Sequence, residues 1–169
     1  SRVWRHILNS AGIERFPQYH FDMVRLGIGL HGISATHANL QPVSSFKTYI
    51  SSIRNVPADQ SIGYGRKSYT TRPSRIAVIP VGYADGLNRH LSNRVGNVFI
   101  KGKRVPIIGN ICMDTCMIDV TDTNATIGDE VEIFGKHILV TELSEQLGTI
   151  PYEILTGISH RVKRVYYKE

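Results

Sequence analysis

The sequence predicts a mainly β protein, a barrel-like or Greek-key-like domain of short strands that follows a shorter segment of α/β character. Two observations support this fold class. From Val43 onward, short runs of β-branched and aromatic residues alternate with turn sequences, which is typical of all-β barrels and sandwiches. Before that point, a short apolar run is broken by glycines, as in a buried parallel strand that ends in a tight turn.

The first 34 or so residues differ in character from the rest. Residues 4–11 are interpreted as a strand end or a short helix that leads into a polar turn, and residues 12–18 as a loop or the start of a short helix. Residues 23–32 form the glycine-broken apolar run and are predicted to be a buried parallel strand. Residues 35–42 are interpreted as a linker.

The remainder of the chain is divided by turn residues into short elements. Lys101-Gly102-Lys103 separates two apolar runs and therefore predicts a β-hairpin. Two later segments favour helices, one over residues 140–147 with Thr141 as its cap and one that begins at Pro151. The predicted strands cover residues 46–56, 61–71, 75–81, 97–100, 104–108, 111–120, 130–134 and 160–167.

Length and composition describe an ordinary globular protein. Of the 169 residues, 41% are hydrophobic and 20% charged, which argues against disorder, collagen and coiled coil. No apolar run approaches the ~18–20 residues of a membrane-spanning helix, and no secretory leader opens the chain, so we expect no membrane association. Cys112 and Cys116 are too few for a disulfide framework, which favours the reducing cytoplasm. The chain opens at Ser1 within a plausible helix, so we expect it to be a shortened one.

The formal net charge of +6 permits a nucleic acid or another anion as a partner. The basic residues are scattered, with the densest runs at residues 101–104 and 161–164, and solvated turns explain them more simply. A basic β domain that binds nucleic acid would interleave aromatic and basic residues on one strand face. The aromatic residues of the β-rich part instead fall on different predicted strands, so we expect no nucleic-acid partner.

Arg25 and the glycines that follow it are the first candidates for chemistry. An arginine inside an apolar strand is costly to bury unless an anion or an acceptor meets it. Gly27-Ile28-Gly29 lets backbone N–H groups approach a ligand closely, as phosphate-binding turns do, and Ser10 offers a hydroxyl for the same phosphate. The alternative is that Arg25 forms an ordinary ion pair with a carboxylate.

Three tyrosines in loop-like contexts are the second group of candidates. Tyr64 and Tyr83 have glycines beside them or one residue away, and Tyr152 follows a proline. A phenol has an unperturbed pKa near ~10 and can act as a general acid or base when its anion is stabilised. Packing in a turn is the alternative for each of them. Asp114, which follows Met113 in an apolar run, requires hydrogen-bond donors, supplied by a ligand or by a cap or salt bridge.

Six motifs occur in one order along nearly the whole chain, and together they resemble the carboxyl-terminal half of bacterial alanine racemases. These are pyridoxal-phosphate (PLP) enzymes that supply D-alanine for peptidoglycan, the cell-wall polymer. Six motifs at compatible spacing are far more specific than any one alone. They are His6-Ile7-Leu8-Asn9-Ser10-Ala11, Val24-Arg25-Leu26-Gly27-Ile28-Gly29-Leu30-His31-Gly32, Ile62-Gly63-Tyr64-Gly65, Val81-Gly82-Tyr83-Ala84-Asp85-Gly86, Ile111-Cys112-Met113-Asp114 and Pro151-Tyr152-Glu153-Ile154.

The resemblance implies a domain organisation. In this family a (β/α)8 barrel holds the cofactor, and a β-rich carboxyl-terminal domain completes the active site of the other subunit in a head-to-tail homodimer. Residues 1–45 then resemble the last strand and helix units of the barrel, and residues 46–169 the β domain. The implied location is the cytoplasm.

The resemblance also implies roles in racemisation of L- and D-alanine by two bases on opposite faces. Tyr64 matches the tyrosine that transfers a proton in the partner subunit's site, opposite the cofactor-binding lysine. Arg25 matches the arginine that faces the pyridine nitrogen and leaves it unprotonated, which limits side reactions. His6 matches the histidine that supports this arginine.

The remaining implied contacts hold the cofactor phosphate and the substrate. By this resemblance Ser10, Tyr152 and the N–H groups of Gly27 and Ile28 bind the phosphate. A second set faces the substrate: the Met113 N–H meets its carboxylate, and Tyr83 and Asp114 line its entrance. No metal is implied.

No residue of the sequence corresponds to the lysine that binds PLP covalently in this family, so that lysine is expected outside this chain. The seven lysines lie in polar or turn contexts, where an imine-forming amine is not expected. The 169-residue chain alone is therefore expected to be inactive. An alternative is a non-catalytic dimerisation module of a larger cell-wall protein, such as a ligase–racemase fusion.

Overall fold

The computed structural model describes residues 3–36 and 39–166, which divide into two units between Ser45 and Phe46. The first unit contains helix α1 (Ser10–Arg15) and two single-turn 3-10 helices, Pro17–Tyr19 and Ile28–His31. Helix α1 begins after Asn9, whose side-chain oxygen accepts a hydrogen bond from the Gly12 N–H at 3.0 Å, as N-cap residues do. Among the described residues, no helix of either unit is long and apolar enough to span a bilayer.

The predicted buried strand at residues 23–32 is wrong. Residues 23–27 run beside residues 5–8, with the Arg25 N–H donating to the Leu8 carbonyl at 2.9 Å, but no ladder forms. Leu26 and Leu30 are more than half exposed. A parallel strand is buried only where neighbouring strands and helices cover it, and the described residues of this unit supply no such sheet.

The second unit confirms the mainly β prediction. Seven strands form one antiparallel sheet in the order β1-β9-β6-β7-β8-β5-β2, and β3 pairs with β4 in a separate hairpin. The strands are β1 (Phe46–Tyr49), β2 (Ser52–Val56), β3 (Ser61–Ile62), β4 (Ser68–Tyr69), β5 (Ser74–Ile79), β6 (Asn97–Ile100), β7 (Lys103–Ile108), β8 (Cys116–Asp119) and β9 (Glu130–Phe134).

The sheet curls because β1 and β2 follow each other in the chain yet lie at its opposite edges. The switch occurs between two adjacent residues: the Ile50 N–H donates to the Asp129 carbonyl at 3.0 Å, and the Ser51 N–H donates to the Val78 carbonyl at 2.9 Å. Ile50 is fully buried at this corner. One continuous segment therefore links both edges, and the sheet bends into a half-barrel around a core of aliphatic side chains.

Several local predictions are confirmed. The β6–β7 hairpin turns through Lys101 and Gly102, both with positive φ, as a two-residue hairpin of the I′ type requires. Helices α2 (Val140–Leu147) and α3 (Pro151–Gly157) form as expected, with Pro151 in the first turn of α3. Thr141 is not the cap of α2, because the helix begins after Leu139 and Thr141 lies inside it.

Other predicted strands are shorter or absent. The runs at residues 46–56 and 61–71 are each divided in two, and only Cys116–Asp119 of the run at 111–120 is a strand. Cys112 lies in a turn closed by its N–H donating to the Thr115 carbonyl at 2.9 Å, and both cysteines are free. The closing strand at 160–167 is wrong: residues 160–166 have no strand, and residue 167 lies outside the described residues.

Glu132 on β9 is a buried carboxylate with a complete set of donors. It accepts from the backbone N–H groups of His137 at 2.7 Å and Ile138 at 3.1 Å, and its other oxygen lies 3.0 Å from His137 Nδ1. Burial would raise the pKa of Glu132, but these hydrogen bonds together outweigh it and hold the pKa below its usual value. The charged carboxylate thus fixes the turn between β9 and α2.

We predict that Glu132→Gln lowers the free energy of unfolding by about 1–3 kcal/mol at pH 7, because an amide nitrogen would replace one acceptor. A carboxyl group with a depressed folded-state pKa stabilises the fold above its unfolded pKa of about 4.3, and that stabilisation is lost as the pH falls through the folded value. Urea unfolding between pH 7 and 3 should therefore show the wild-type advantage shrinking only at the acidic end. Glu130→Gln, at an exposed partner of Lys47, is the control, and equal effects of both variants would contradict the prediction.

Candidate active site

Antiparallel pairing brings three connecting segments to one end of the curled sheet. Ile79, at the end of β5, pairs with Cys116 at the start of β8, and Ile108, at the end of β7, pairs with Met117. The segments after β5 and after β7 therefore lie side by side. The β3–β4 hairpin reaches the same end, because a side chain at Gly63 would lie 3.0 Å from Met117 Cε.

Tyr64 lies at the tip of the β3–β4 hairpin, and the residue is 78% exposed. Gly63 and Gly65 on either side of it have φ of 74° and 76°, a region that residues with a Cβ rarely adopt. The two glycines let the chain reverse tightly around one residue. The phenol is thus accessible from solvent.

The segments that carry Tyr83 and Met113 are held together through their main chains. The Tyr83 N–H donates to the Cys112 carbonyl and the Ala84 N–H to the Met113 carbonyl, both at 3.0 Å. Gly82 is required at this contact, because a Cβ there would lie 2.3 Å from the carbonyl oxygens of Cys112 and Met113. The structure therefore brings Tyr83, Met113 and Asp114 into one cluster.

Arg161 ties the two segments together by charge. Its Nε donates to Asp85 Oδ1 and its Nη2 to Asp114 Oδ1, both at 2.7 Å, while Asp85 Oδ2 accepts from the Gly82 N–H at 2.8 Å. The hydrogen bonds with Asp85 and then Asp114 raise the pKa of Arg161. The Asp114 carboxylate thus has a protein partner, and its proposed place at the substrate entrance is compatible with that ion pair.

In the first unit, two of the predicted phosphate contacts, Ser10 and the Gly27 N–H, lie together. The buried Ser10 hydroxyl oxygen accepts from the Gly27 N–H at 2.8 Å and the Gly29 N–H at 3.2 Å. A Cβ at Gly29 would lie 2.9 Å from Leu26 Cδ1 and 3.6 Å from Ser10 Oγ, so glycine lets the turn pack closely against Leu26. A hydroxyl and a glycine turn held this close together are the types of group that bind a phosphate, and phosphate oxygens would replace or share the hydrogen bonds that the two N–H groups now make to Ser10.

The other predicted cofactor residues have simpler surroundings. Arg25 Nη2 donates to the Ile7 carbonyl at 3.1 Å, and no carboxylate among the described residues pairs with Arg25. His6 is exposed, and no hydrogen bond joins it to Arg25 among the described residues. Tyr152 is the second residue of α3 and is partly exposed.

Sequence reasoning missed Arg161 and Asp85 as parts of this cluster. Arg161 belongs to a basic run that we interpreted as solvated, and its partners lie 76 and 47 residues away in the chain. No local pattern encodes such a contact. Asp85 was inside a recognised motif, but its burial and its ion pair with Arg161 are visible only in the fold.

The comparisons with known proteins agree on one family. The family model for the alanine racemase C-terminal domain matches residues 43–166, and the model for the N-terminal domain matches residues 1–35. Alanine racemase 2 of Caldanaerobacter subterraneus subsp. tengcongensis is 47% identical over an alignment of 172 positions that covers 96% of this chain and 44% of that protein. The chain spans about half the length of the curated relatives it matches.

Solved structures give the same result. The chain is similar to alanine racemase from Bartonella henselae with covalently bound pyridoxal phosphate, with a TM-score of 0.92 and 37% identity over 99% of this chain and 48% of that one. It is also similar to the complex of Clostridium difficile alanine racemase with cycloserine, with a TM-score of 0.87 and 38% identity over 93% of this chain and 44% of that one.

We predict that Arg161→Gln loosens the contact between the Tyr83 and Met113 segments, because Asp85 loses its charged partner. Hydrogen exchange of the Tyr83 and Ala84 amides, measured by NMR, should become several-fold faster than in the wild type. Lys163→Gln removes a neighbouring exposed charge and should leave both rates unchanged. Equal protection in Arg161→Gln and Lys163→Gln would show that the main-chain contacts alone hold the segments.

Proposed function

Because this chain belongs to the alanine racemase family, we propose that it is the carboxyl-terminal portion of an enzyme that interconverts L- and D-alanine with PLP. The observation that carries the proposal is Tyr64, an exposed phenol on a glycine-flanked hairpin within the residues that match the family's C-terminal domain. We place residues 1–45 with the cofactor-binding barrel and residues 46–169 in the β domain.

PLP, when bound, withdraws electrons from the Cα of the amino acid and so makes its proton removable. We propose that Ser10, the N–H groups of Gly27 and Ile28, and Tyr152 hold the cofactor phosphate. The contact of the Gly27 N–H with Ser10 Oγ at 2.8 Å supports a common site for these two residues. The lysine that binds PLP covalently is proposed to lie outside this chain, since the six described lysines are all exposed, whereas an imine-forming amine is desolvated.

Arg25 is proposed to face the pyridine nitrogen of the cofactor, with His6 behind it. A guanidinium holds its own protons at neutral pH, so it donates a hydrogen bond to that nitrogen without protonating it. The Arg25 side chain is anchored only to a carbonyl oxygen among the described residues, so its positive charge is not neutralised locally. This arrangement favours racemisation over side reactions that need a protonated ring.

Tyr64 is proposed to remove or return the Cα proton on the face opposite the lysine. To invert the configuration at Cα, a proton must be removed from one face and a proton must be delivered to the opposite face. A phenol can act as the acid or base on one of these faces when its anion is stabilised. We propose that Tyr64 acts in the site of a partner subunit, in a head-to-tail homodimer. The exposure of its side chain supports action outside its own unit.

Met113, Tyr83 and Asp114 are proposed to receive the substrate, with the Met113 N–H on its carboxylate and the other two at the entrance. The interlocked main chains of the two segments support a rigid site of this kind. We also propose that the enzyme works in the cytoplasm and that its D-alanine supplies peptidoglycan.

We predict that Tyr64→Phe in the complete PLP-loaded enzyme lowers kcat by about 10²- to 10⁴-fold, the usual contribution of a general acid or base. The loss should be confined to one proton transfer, so Cα exchange with deuterium from solvent should persist for one enantiomer of alanine and be lost for the other. Tyr166→Phe, at an exposed tyrosine outside the proposed site, should retain activity. The 169-residue chain alone should show no turnover.

Loss of PLP absorbance in Tyr64→Phe would contradict this assignment, because Tyr64 is not a proposed cofactor contact. Equal loss of exchange for both enantiomers would contradict the two-base mechanism. A complete enzyme that binds PLP and leaves alanine untouched would keep the fold assignment and refute the substrate.

A further inference from the structure

Asn110 connects the Tyr64 hairpin to the segment that leads to Met113. Its side-chain Nδ2 donates to the Tyr64 carbonyl oxygen at 2.8 Å. Asn110 is half-buried. It lies between Gly109, the first residue after β7, and Ile111, which is fully buried. One residue thus joins the main chain of the proposed base to the segment that carries the proposed carboxylate contact.

The hairpin tip needs such a tie because its backbone has little intrinsic preference for one shape. Gly63, Gly65 and Arg66 have positive φ, and two of these three are glycines, the most permissive residue. Among the described residues, Asn110 is the one whose side chain hydrogen-bonds to residues 63–66. The β3–β4 ladder below the tip has only two residue pairs, so it constrains Tyr64 weakly.

A polar network holds the Asn110 amide in one orientation. Asn93 Nδ2 donates to Asn110 Oδ1 at 3.1 Å, and the Ser68 hydroxyl donates to Asn93 Oδ1 at 2.8 Å. Ser68 Oγ in turn accepts from the Gly109 N–H at 3.2 Å. Because its oxygen is occupied by a donor, the Asn110 amide presents its nitrogen to Tyr64.

We propose that Asn110 is a positioning residue for racemisation: its amide fixes the Tyr64 main chain, and with it the phenol, against the segment of residues 109–113. This inference rests on the proposed function and names the residue that sets the geometry of its proton transfer. A displacement of about 1 Å at a reacting group costs up to about 10²-fold in rate. Asn110 acts on kcat through Tyr64 and leaves cofactor binding unchanged.

The test uses the complete PLP-loaded enzyme with Asn110→Asp and Asn110→Ala. Asn110→Asp keeps the size and the acceptor for Asn93 but removes the donor to Tyr64, so it remains informative if Asn110→Ala folds poorly. We expect kcat to fall by about 10- to 100-fold with little change in KM. The Cα-deuterium isotope effect should rise for the enantiomer whose exchange depends on Tyr64 and stay unchanged for the other.

Asn124→Ala, at an exposed asparagine in the turn after β8, is the matched control and should leave both isotope effects unchanged. The positioning role would be overturned if the Asn110 variants raised the isotope effect for both enantiomers. It would also be overturned if they lowered kcat without changing either isotope effect. Tyr64→Phe distinguishes a failure of the proposed function from a failure of the Asn110 role alone. If Tyr64→Phe leaves exchange of both enantiomers intact, the proposed function and this inference both fail. If it abolishes one exchange and the Asn110 variants do not alter that direction, only this inference fails.

Discussion

Two adjacent backbone N–H groups, those of Ile50 and Ser51, donate to strands at opposite edges of the sheet, and the shape of the second unit depends on this switch. Without it, β1 and β2 would form one straight edge strand and the sheet would stay open. The curl surrounds a core in which Ile50 and the inward residues of β5 to β9 are buried. It also leaves β5, β7 and β8 as interior strands, whose connections at one end form the candidate site.

The sequence patterns predicted what is local. Turn glycines and short apolar runs located the β6–β7 hairpin, β5 and β9, and helix-favouring residues and Pro151 located the two later helices, because these elements are specified by neighbouring residues. The strand order was not predictable in this way, since it depends on hydrogen bonds between distant segments. The closing strand failed for a related reason: Arg161 and Arg164 bind carboxylates and carbonyl oxygens, and the chain turns around them.

The candidate site likewise contains residues that a local sequence signal reveals and residues that only the fold reveals. Tyr64 was detectable because its flanking glycines are a local signal, and Ser10 because the glycine run 27–29 suggested a phosphate cradle. Asn110 and Arg161 carry no such signal, since an asparagine after a glycine or an arginine in a basic run fits any surface turn. Only the folded arrangement shows that each bridges two segments of the candidate site. The same holds for two residues of the basic run 101–104, since Lys101 and Arg104 pair with the distant Asp129 and Glu142.

We propose that this chain supplies cofactor contacts from its first unit and a proton-transfer group from its second. A crystal structure of the complete PLP-loaded enzyme with a phosphonate analogue of alanine tests it most directly. We predict Arg25 at the pyridine nitrogen and the Tyr64 phenol of the partner subunit about 3–3.5 Å from the Cα of the analogue, as a near-attack geometry requires. A Tyr64 side chain in solvent, with another residue at that face of the Cα, would contradict it.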